Sequence, residues 1–255
     1  MARLSVTIVT LDEERDLPGC LASVAFADEI VVVDSGSKDR TREIAASAGA
    51  RVFENPWPGD APQKSFAMQH ASGEWILNLD ADERCSEALR AALPGLLARS
   101  DVEGFDVLFE NHLFERRARF GGLGGERHLR LFRKASATYQ TRQVHGGATV
   151  AGRVERLDAP IVHHPYASLE EYFDKFNRYT SHLAKEKAMA GRRFSPLAVL
   201  RWPWGFFRRY VLRLGFLDGY AGFLHAALSG LYDFVKVAKI DDLEREARRL
   251  EGRRE

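Results

Sequence analysis

The sequence predicts an α/β protein, a parallel sheet with helices on both faces, followed by a helical C-terminal extension. Three observations carry that expectation. Short β-branched runs alternate with helix-spaced runs through residue 97, two of the apolar runs end on acids, and the pattern turns helical near residue 165. Alternation of this kind makes parallel strands joined by crossover helices. Ligands of such sheets bind beyond the carboxyl ends of the strands, where both acids fall. The expected division is a sheet domain over residues 1–165 and a helical extension over 166–255.

Residues 4–10, LSVTIVT, read as the first strand, and 16–27 as a helix with Leu17, Leu21 and Val24 on one face. The run 29–34, EIVVVD, is the second strand, 40–48 a helix ended by Gly49, and 50–54 a third strand. Pro56, Pro58, Gly59 and Pro62 then set a loop. Residues 63–71 read as a helix, 75–79 as a strand delivering Asp80, Asp82 and Glu83, and 86–97 as an amphipathic helix. Between 104 and 132 short alternating runs surround Gly121-Gly122-Leu123-Gly124-Gly125, which lacks helix periodicity and reads as a loop or lid.

With 45% hydrophobic and 29% charged residues, the 255-residue chain is a soluble globular type, neither wholly disordered nor a polytopic membrane protein. Lys and Arg number 37 against 36 Asp and Glu, so a net charge of +1 provides no global attraction for nucleic acid, and no nucleic-acid partner is expected. Cys20 and Cys85 form no CxxC pair, which suits a reducing compartment. Asp12, Glu13 and Glu14 interrupt the N-terminal apolar run before a signal-peptide core accumulates, so a cytoplasmic location is expected. No run approaches the roughly 18 apolar residues of a membrane span.

In WILNLDADE, an apolar strand ends in Asp80-x-Asp82, which presents two carboxylates on one side of an extended chain. Such a pair suits a hard divalent cation, magnesium or manganese, completed by substrate phosphates. In EIVVVDSGSKDRT, Asp34 ends the strand and can accept hydrogen bonds from a nucleobase or ribose, while Ser37 or Asp39 is placed to cap the next helix.

Taken together, SVTIVTLDEE, VVVDSGSKDRT and GEWILNLDADE, in that order and spacing, resemble the family 2 glycosyltransferases. The resemblance implies a GT-A nucleotide-diphospho-sugar fold, with Thr10, Glu13, Asp34 and Asp80 on the nucleotide and Asp82 on the metal. Asp12 stands where the family commonly has Asn, which removes a hydrogen-bond donor from that loop. Lys64 falls where a subgroup commonly carries a basic residue near the nucleotide, and is placed to meet a phosphate or to sit in solvent. GGERHLRLFRK, TRQVHGGATVAG, LDAPIVHHPY and the helical tail resemble the subgroup that transfers glucose to a heptose of lipopolysaccharide inner core. This implies an inverting transfer of a hexose, glucose from UDP-glucose, to a lipopolysaccharide core or other lipid-linked glycan.

Inversion needs a base for the acceptor hydroxyl. Glu126 corresponds to the family's acid before the RLF strand, while Arg130 is placed to meet the diphosphate or to face water. His145, beside glycines, and His164, after an apolar strand, are candidate substrate contacts; of His163 and His164, strand alternation lets one face a shared site. From Arg192 to Arg213 there are six arginines and no acid, interleaved with aromatics, which suits peripheral attachment to an anionic inner membrane face or a packed hairpin with outward arginines. A nucleotidyltransferase would need a glycine-rich phosphate loop that SVTIVTLDEE lacks. A non-catalytic membrane adaptor is disfavoured by the intact Asp80-x-Asp82.

Overall fold

The computed structural model describes residues 3–139, 147–166 and 168–251. They fall into two compact units, Met1–Glu110 with Gly125–His163, and Asn111–Gly124 with His164–Glu255.

In the first unit, β1 (Leu4–Thr10), α1 (Leu17–Ser23), β2 (Glu29–Asp34), α2 (Thr41–Ser47), β3 (Arg51–Glu54), α3 (Asp60–His70), β4 (Trp75–Asp80), β5 (Glu83–Cys85) and α4 (Glu87–Leu97) follow in the expected alternation. Later strands are β6 (Gly104–Leu113), β7 (Arg116–Ala118), β8 (Arg127–Arg133), β9 (Ala137–Tyr139), β10 (Ala148–Val150) and β11 (Val154–Tyr166). The main sheet has the order β3-β2-β1-β4-β8-β6-β11-β5, with β7 paired to β6. β1 to β4 are mutually parallel. β8 pairs antiparallel to both β4 and β6, and β11 antiparallel to β5. The sheet is therefore mixed, not parallel throughout as the early alternation suggests.

Both faces of β1, β2 and β4 are largely buried, which is why no charged residue falls inside these strands and the polar Ser5, Thr7 and Asn78 are hydrogen-bonded there. Side-chain alternation divides them. Val6, Ile8, Val32, Leu77 and Leu79 pack against α1 and α4, while Val31, Val33 and Ile76 pack with Ala67 and Met68 of α3. The same alternation puts Asn78 and Asp80 on the α3 face. At the opposite end of the sheet, Gly73 brings two chain segments into contact, since a Cβ there would lie 2.6 Å from the Ser5 backbone nitrogen.

In the second unit, Ser168 caps α5 (Leu169–Met189) by accepting from Glu171 N–H at 3.1 Å. Then come α6 (Arg201–Phe207), a π-helical turn over Arg208–Leu212, a 3-10 turn over Gly215–Asp218 and the long α7 (Gly219–Glu251). The glycine-rich segment is an irregular loop. It is tied down by Asp218, which accepts from the backbone N–H groups of Arg119 at 2.9 Å and Phe120 at 2.7 Å, and by Gly121 N–H donating to the Arg213 carbonyl. No helix of the described residues is long and apolar enough to cross a membrane.

Candidate active site

Parallel register brings the acids to one edge of the sheet, because Thr10 lies opposite Asp34 and Val9 opposite Asp80. The loop after β1 passes through Asp12, whose φ of 55° is a left-handed conformation that Asp and Asn tolerate best. Asp12 N–H donates to Ser37 Oγ at 2.9 Å and its carboxylate accepts from Lys38 N–H at 2.7 Å. The position uses an acceptor, so aspartate serves where asparagine is usual. Glu13 N–H donates to Thr41 Oγ1 at 2.8 Å, joining the β1 and β2 loops. Thr10 Oγ1 is buried without a hydrogen-bond partner.

Asp34 is fully buried. One oxygen accepts from Gly36 N–H at 3.0 Å and Ser37 N–H at 2.9 Å, and the other accepts from the Ser37 hydroxyl. Its carboxylate shapes the turn from within instead of presenting an exposed oxygen to a base or ribose. Asp39, in turn, accepts from Thr41 N–H at 3.0 Å at the start of α2. Gln63, also fully buried, ties that turn to the end of β3 by donating to Ser35 Oγ and to the Asn55 carbonyl, both at 3.0 Å.

Asp80 is held by two cations. Lys64 Nζ, buried in α3, lies 3.0 Å from Asp80 Oδ1 and 3.1 Å from Asp60. Arg130, 9% exposed, donates to Asn78 Oδ1 at 2.9 Å, Asp80 Oδ2 at 3.0 Å and Glu83 Oε1 at 2.5 Å. Burial alone would push the Asp80 carboxyl up; Lys64 and Arg130 outweigh it and hold it well below the usual carboxylate range. For Glu83, burial dominates, Arg130 opposes it, and the Asp80 charge adds to the upward shift. Arg130 does not face water, which corrects one of its two expected placements: its guanidinium is anchored among these groups. Lys64, likewise, is not a solvated lysine.

Asp82 follows in the β4–β5 turn, and His163 Nε2 lies 3.6 Å from its Oδ2. The register of β11 on β5 sets His163 opposite Glu83. Burial lowers the His163 pKa, but Asp82 and the neighbouring carboxylates outweigh it and raise it overall. Of the two adjacent histidines, His163 faces this site. His164 belongs to the second unit, its ring 5.0 Å from that of His112. His145 lies outside the described residues.

Glu126, with its side chain 40% exposed, pairs with His128 Nε2 at 3.0 Å. The ring of Phe109 meets His128 edge-on at 4.8 Å and His163 at 5.9 Å, with Arg130 above it at 5.3 Å. Phe109 thus separates the Glu126–His128 pair from the Asp82–His163 pair by one aromatic ring. His128 and Phe109 escape sequence reasoning; Glu83 in DADE and His163 in VHH are visible in it, but no spacing pairs them with Arg130 or Asp82.

Among the described residues, no group of three His, Cys, Asp or Glu side chains is arranged to hold a metal. Asp82 and His163 supply two donors, and their 3.6 Å separation is near the roughly 3 Å between adjacent ligands of an octahedral ion. The pair fits a cation whose remaining ligands come from a diphosphate and water.

Residues 5–155 match the model of Glycosyl transferase family 2. The chain is 35% identical over 246 residues to the lipopolysaccharide core biosynthesis glycosyltransferase LpsC of Rhizobium meliloti, covering 93% of this chain and 91% of that one. It is 27% identical over 266 residues to an uncharacterized glycosyltransferase of Rickettsia typhi, covering 98% and 90%. A crystal structure of glucosyl-3-phosphoglycerate synthase from Mycobacterium tuberculosis, in complex with Mn2+ and UDP, superposes with TM-score 0.38 at 24% identity, over 42% of this chain and 44% of that one. The matched segment covers the strands of the mixed GT-A-type sheet except β11, and every described first-unit group assigned above except His163, and the protein is a member of glycosyltransferase family 2.

Proposed function

We propose that this glycosyltransferase moves a hexose, glucose from UDP-glucose, to a lipopolysaccharide core or another lipid-linked glycan, with inversion and with a magnesium or manganese ion. The observation that carries the reading is the strand end at Asp80, where two cations fix one carboxylate and leave Asp82 beside His163. The acceptor class is supported by the 35% identity to LpsC along nearly the whole chain, and the donor by the motif resemblance. A lipid-linked acceptor places the reaction at the cytoplasmic face of the inner membrane.

In this reading Asp82 and His163 hold the cation, whose chemistry is neutralisation of the charge developing on the departing diphosphate. Thr10, Glu13 and the turn built around Asp34 contact the nucleoside, with the buried Thr10 hydroxyl available as a donor. Lys64, Arg130 and Glu83 position Asp80. Glu126 takes the proton of the attacking acceptor hydroxyl, oriented by His128 at 3.0 Å.

The test is a panel of nucleotide sugars screened for thermal stabilisation of the protein with manganese. Binding to the folded state raises the melting temperature by mass action. UDP-glucose is expected to give the largest manganese-dependent shift. An equal response to a different nucleotide's sugars, or none to UDP-sugars, refutes the donor assignment.

A further inference from the structure

In the second unit, large apolar side chains are exposed in one continuous stretch. Of the 21 large hydrophobic residues exposed among the described residues, 13 fall between Leu197 and Phe223. Trp202 and Trp204 of α6 are 51% and 58% exposed. The cause lies in the packing of α6 on α7. The crossing is made by glycines: a Cβ at Gly205 would lie 3.0 Å from Gly230 Cα, and one at Gly230 would lie 2.7 Å from the Trp202 carbonyl. Helices that approach this closely leave little room between them for indoles: only the Cδ1 edge of Trp202 reaches Gly230, 2.9 Å from where a Cβ there would lie, and half or more of each tryptophan stays exposed.

The charge of this stretch is mainly positive, although Arg209 is paired with Asp233 at 3.0 Å. Residues 192–223 carry six arginines and one acid, Asp218, whose carboxylate is taken by Arg119 and Phe120 N–H. The β6–β7 hairpin and the loop after it add exposed Arg116, Arg117 and Arg119. Arg116 lies on the same surface, its guanidinium 5.9 Å from the Tyr220 ring, and the loop that holds Arg119 is tied to it by Arg119 N–H on Asp218 and Gly121 N–H on the Arg213 carbonyl. Indoles and aliphatic side chains ringed by arginine suit a bilayer interface, where apolar groups enter the acyl boundary and cations meet phosphate headgroups. A dimer interface would bring these arginines against each other.

We infer that the α6 and α7 N-terminal face, with the Arg116–Arg119 loop, docks on a lipid surface bearing anionic headgroups. The inference rests on the proposed function in its lipid-linked acceptor, and deepens it by naming the surface that reaches the lipid.

The experiment is flotation of the full chain with vesicles of phosphatidylcholine alone or mixed with phosphatidylglycerol, without donor or acceptor. Tryptophan emission and sedimentation are measured alongside. Binding to the mixed vesicles is expected, at least tenfold stronger than to phosphatidylcholine, weakened by salt and accompanied by a blue shift. Trp202→Ser/Trp204→Ser should abolish the blue shift and reduce partitioning about tenfold or more; Arg116→Glu/Arg119→Glu should cut the preference for phosphatidylglycerol about tenfold or more, since cations near such a surface add to its attraction. Both variants should keep wild-type melting and manganese-dependent UDP-glucose binding, so failure of the donor assignment and failure of docking are read separately. Equal binding to both vesicle types, variants that float like the wild type, a vesicle-free dimer lost in the tryptophan variant, or stronger retention on a single-stranded oligonucleotide than on vesicles would each overturn it.

Discussion

Glu83 accepts the backbone N–H of Asp80 at 3.0 Å, closing the turn that carries Asp82. Its other oxygen meets Arg130, which also reaches Asp80. The carboxylate therefore acts on backbone and cation at once. Removing Glu83 leaves Arg130 paired with Asp80 and Asn78 but takes the acceptor from the Asp80 N–H, and a buried donor that loses its partner costs about 1–3 kcal/mol. Glu83→Ala is expected to lose stability in that range by urea unfolding, with Glu83→Gln losing less because it keeps an acceptor for Asp80 N–H. Wild-type stability in the alanine variant would remove Glu83 from this role.

The two adjacent histidines separate cleanly. His163→Ala should weaken manganese-dependent donor binding about 10- to 100-fold, a loss comparable to removing an ordered metal partner, whereas His164→Ala should leave it unchanged. Calorimetric titration of each variant with UDP and manganese reads the difference. The reverse pattern would move the ligand to His164.

Glu126→Gln keeps the size and polarity of the side chain but cannot accept a proton at neutral pH. Turnover should fall about 100- to 10,000-fold with donor affinity unchanged. Near-normal turnover would place the base elsewhere, with Asp106, Glu110 and Glu115 the next acids to replace.

Glu29 tests the far end of the sheet. It accepts from the Ser5 hydroxyl at 2.5 Å, from Ser72 N–H at 2.7 Å and Oγ at 2.9 Å, and from Arg51. Burial raises its pKa, but these bonds outweigh it and lower the value to about 2. A depressed folded-state pKa contributes stability above the unfolded value, near 4.5, that is lost as pH falls toward 2. Glu29→Gln should therefore be less stable than wild type by about 2 kcal/mol at pH 7, with the gap closing at acid pH in urea melts. A pH-independent gap would assign the loss to packing.

The parallel half of the sheet was legible because β1, β2 and β4 are β-branched or aliphatic runs without an internal charge, as strands buried on both faces are, and two of them end on Asp34 and Asp80. The antiparallel half was not, because β8 and β11 find their places by pairing with strands far away in the chain. The site divides the same way. Asp80 and Asp82 stand out as a local pattern, whereas the Arg130–Glu83 contact spans 47 residues. Strand alternation limited His163 and His164 to one at the site, and only the register of β11 on β5 selects His163. Asp34 was legible as an acid at a strand end, yet its inward bonds to Gly36 and Ser37 depend on how the turn closes.

The proposed function requires Asp82, beside His163, to hold a metal that activates a UDP-sugar donor. The most direct measurement is UDP release from UDP-glucose by wild type and Asp82→Ala, each with manganese and with chelator. Wild type should release UDP only with manganese, and the variant should fall below a tenth of that rate while melting as wild type does. Release that persists in chelator, or an Asp82→Ala variant that keeps the wild-type manganese response, would contradict it.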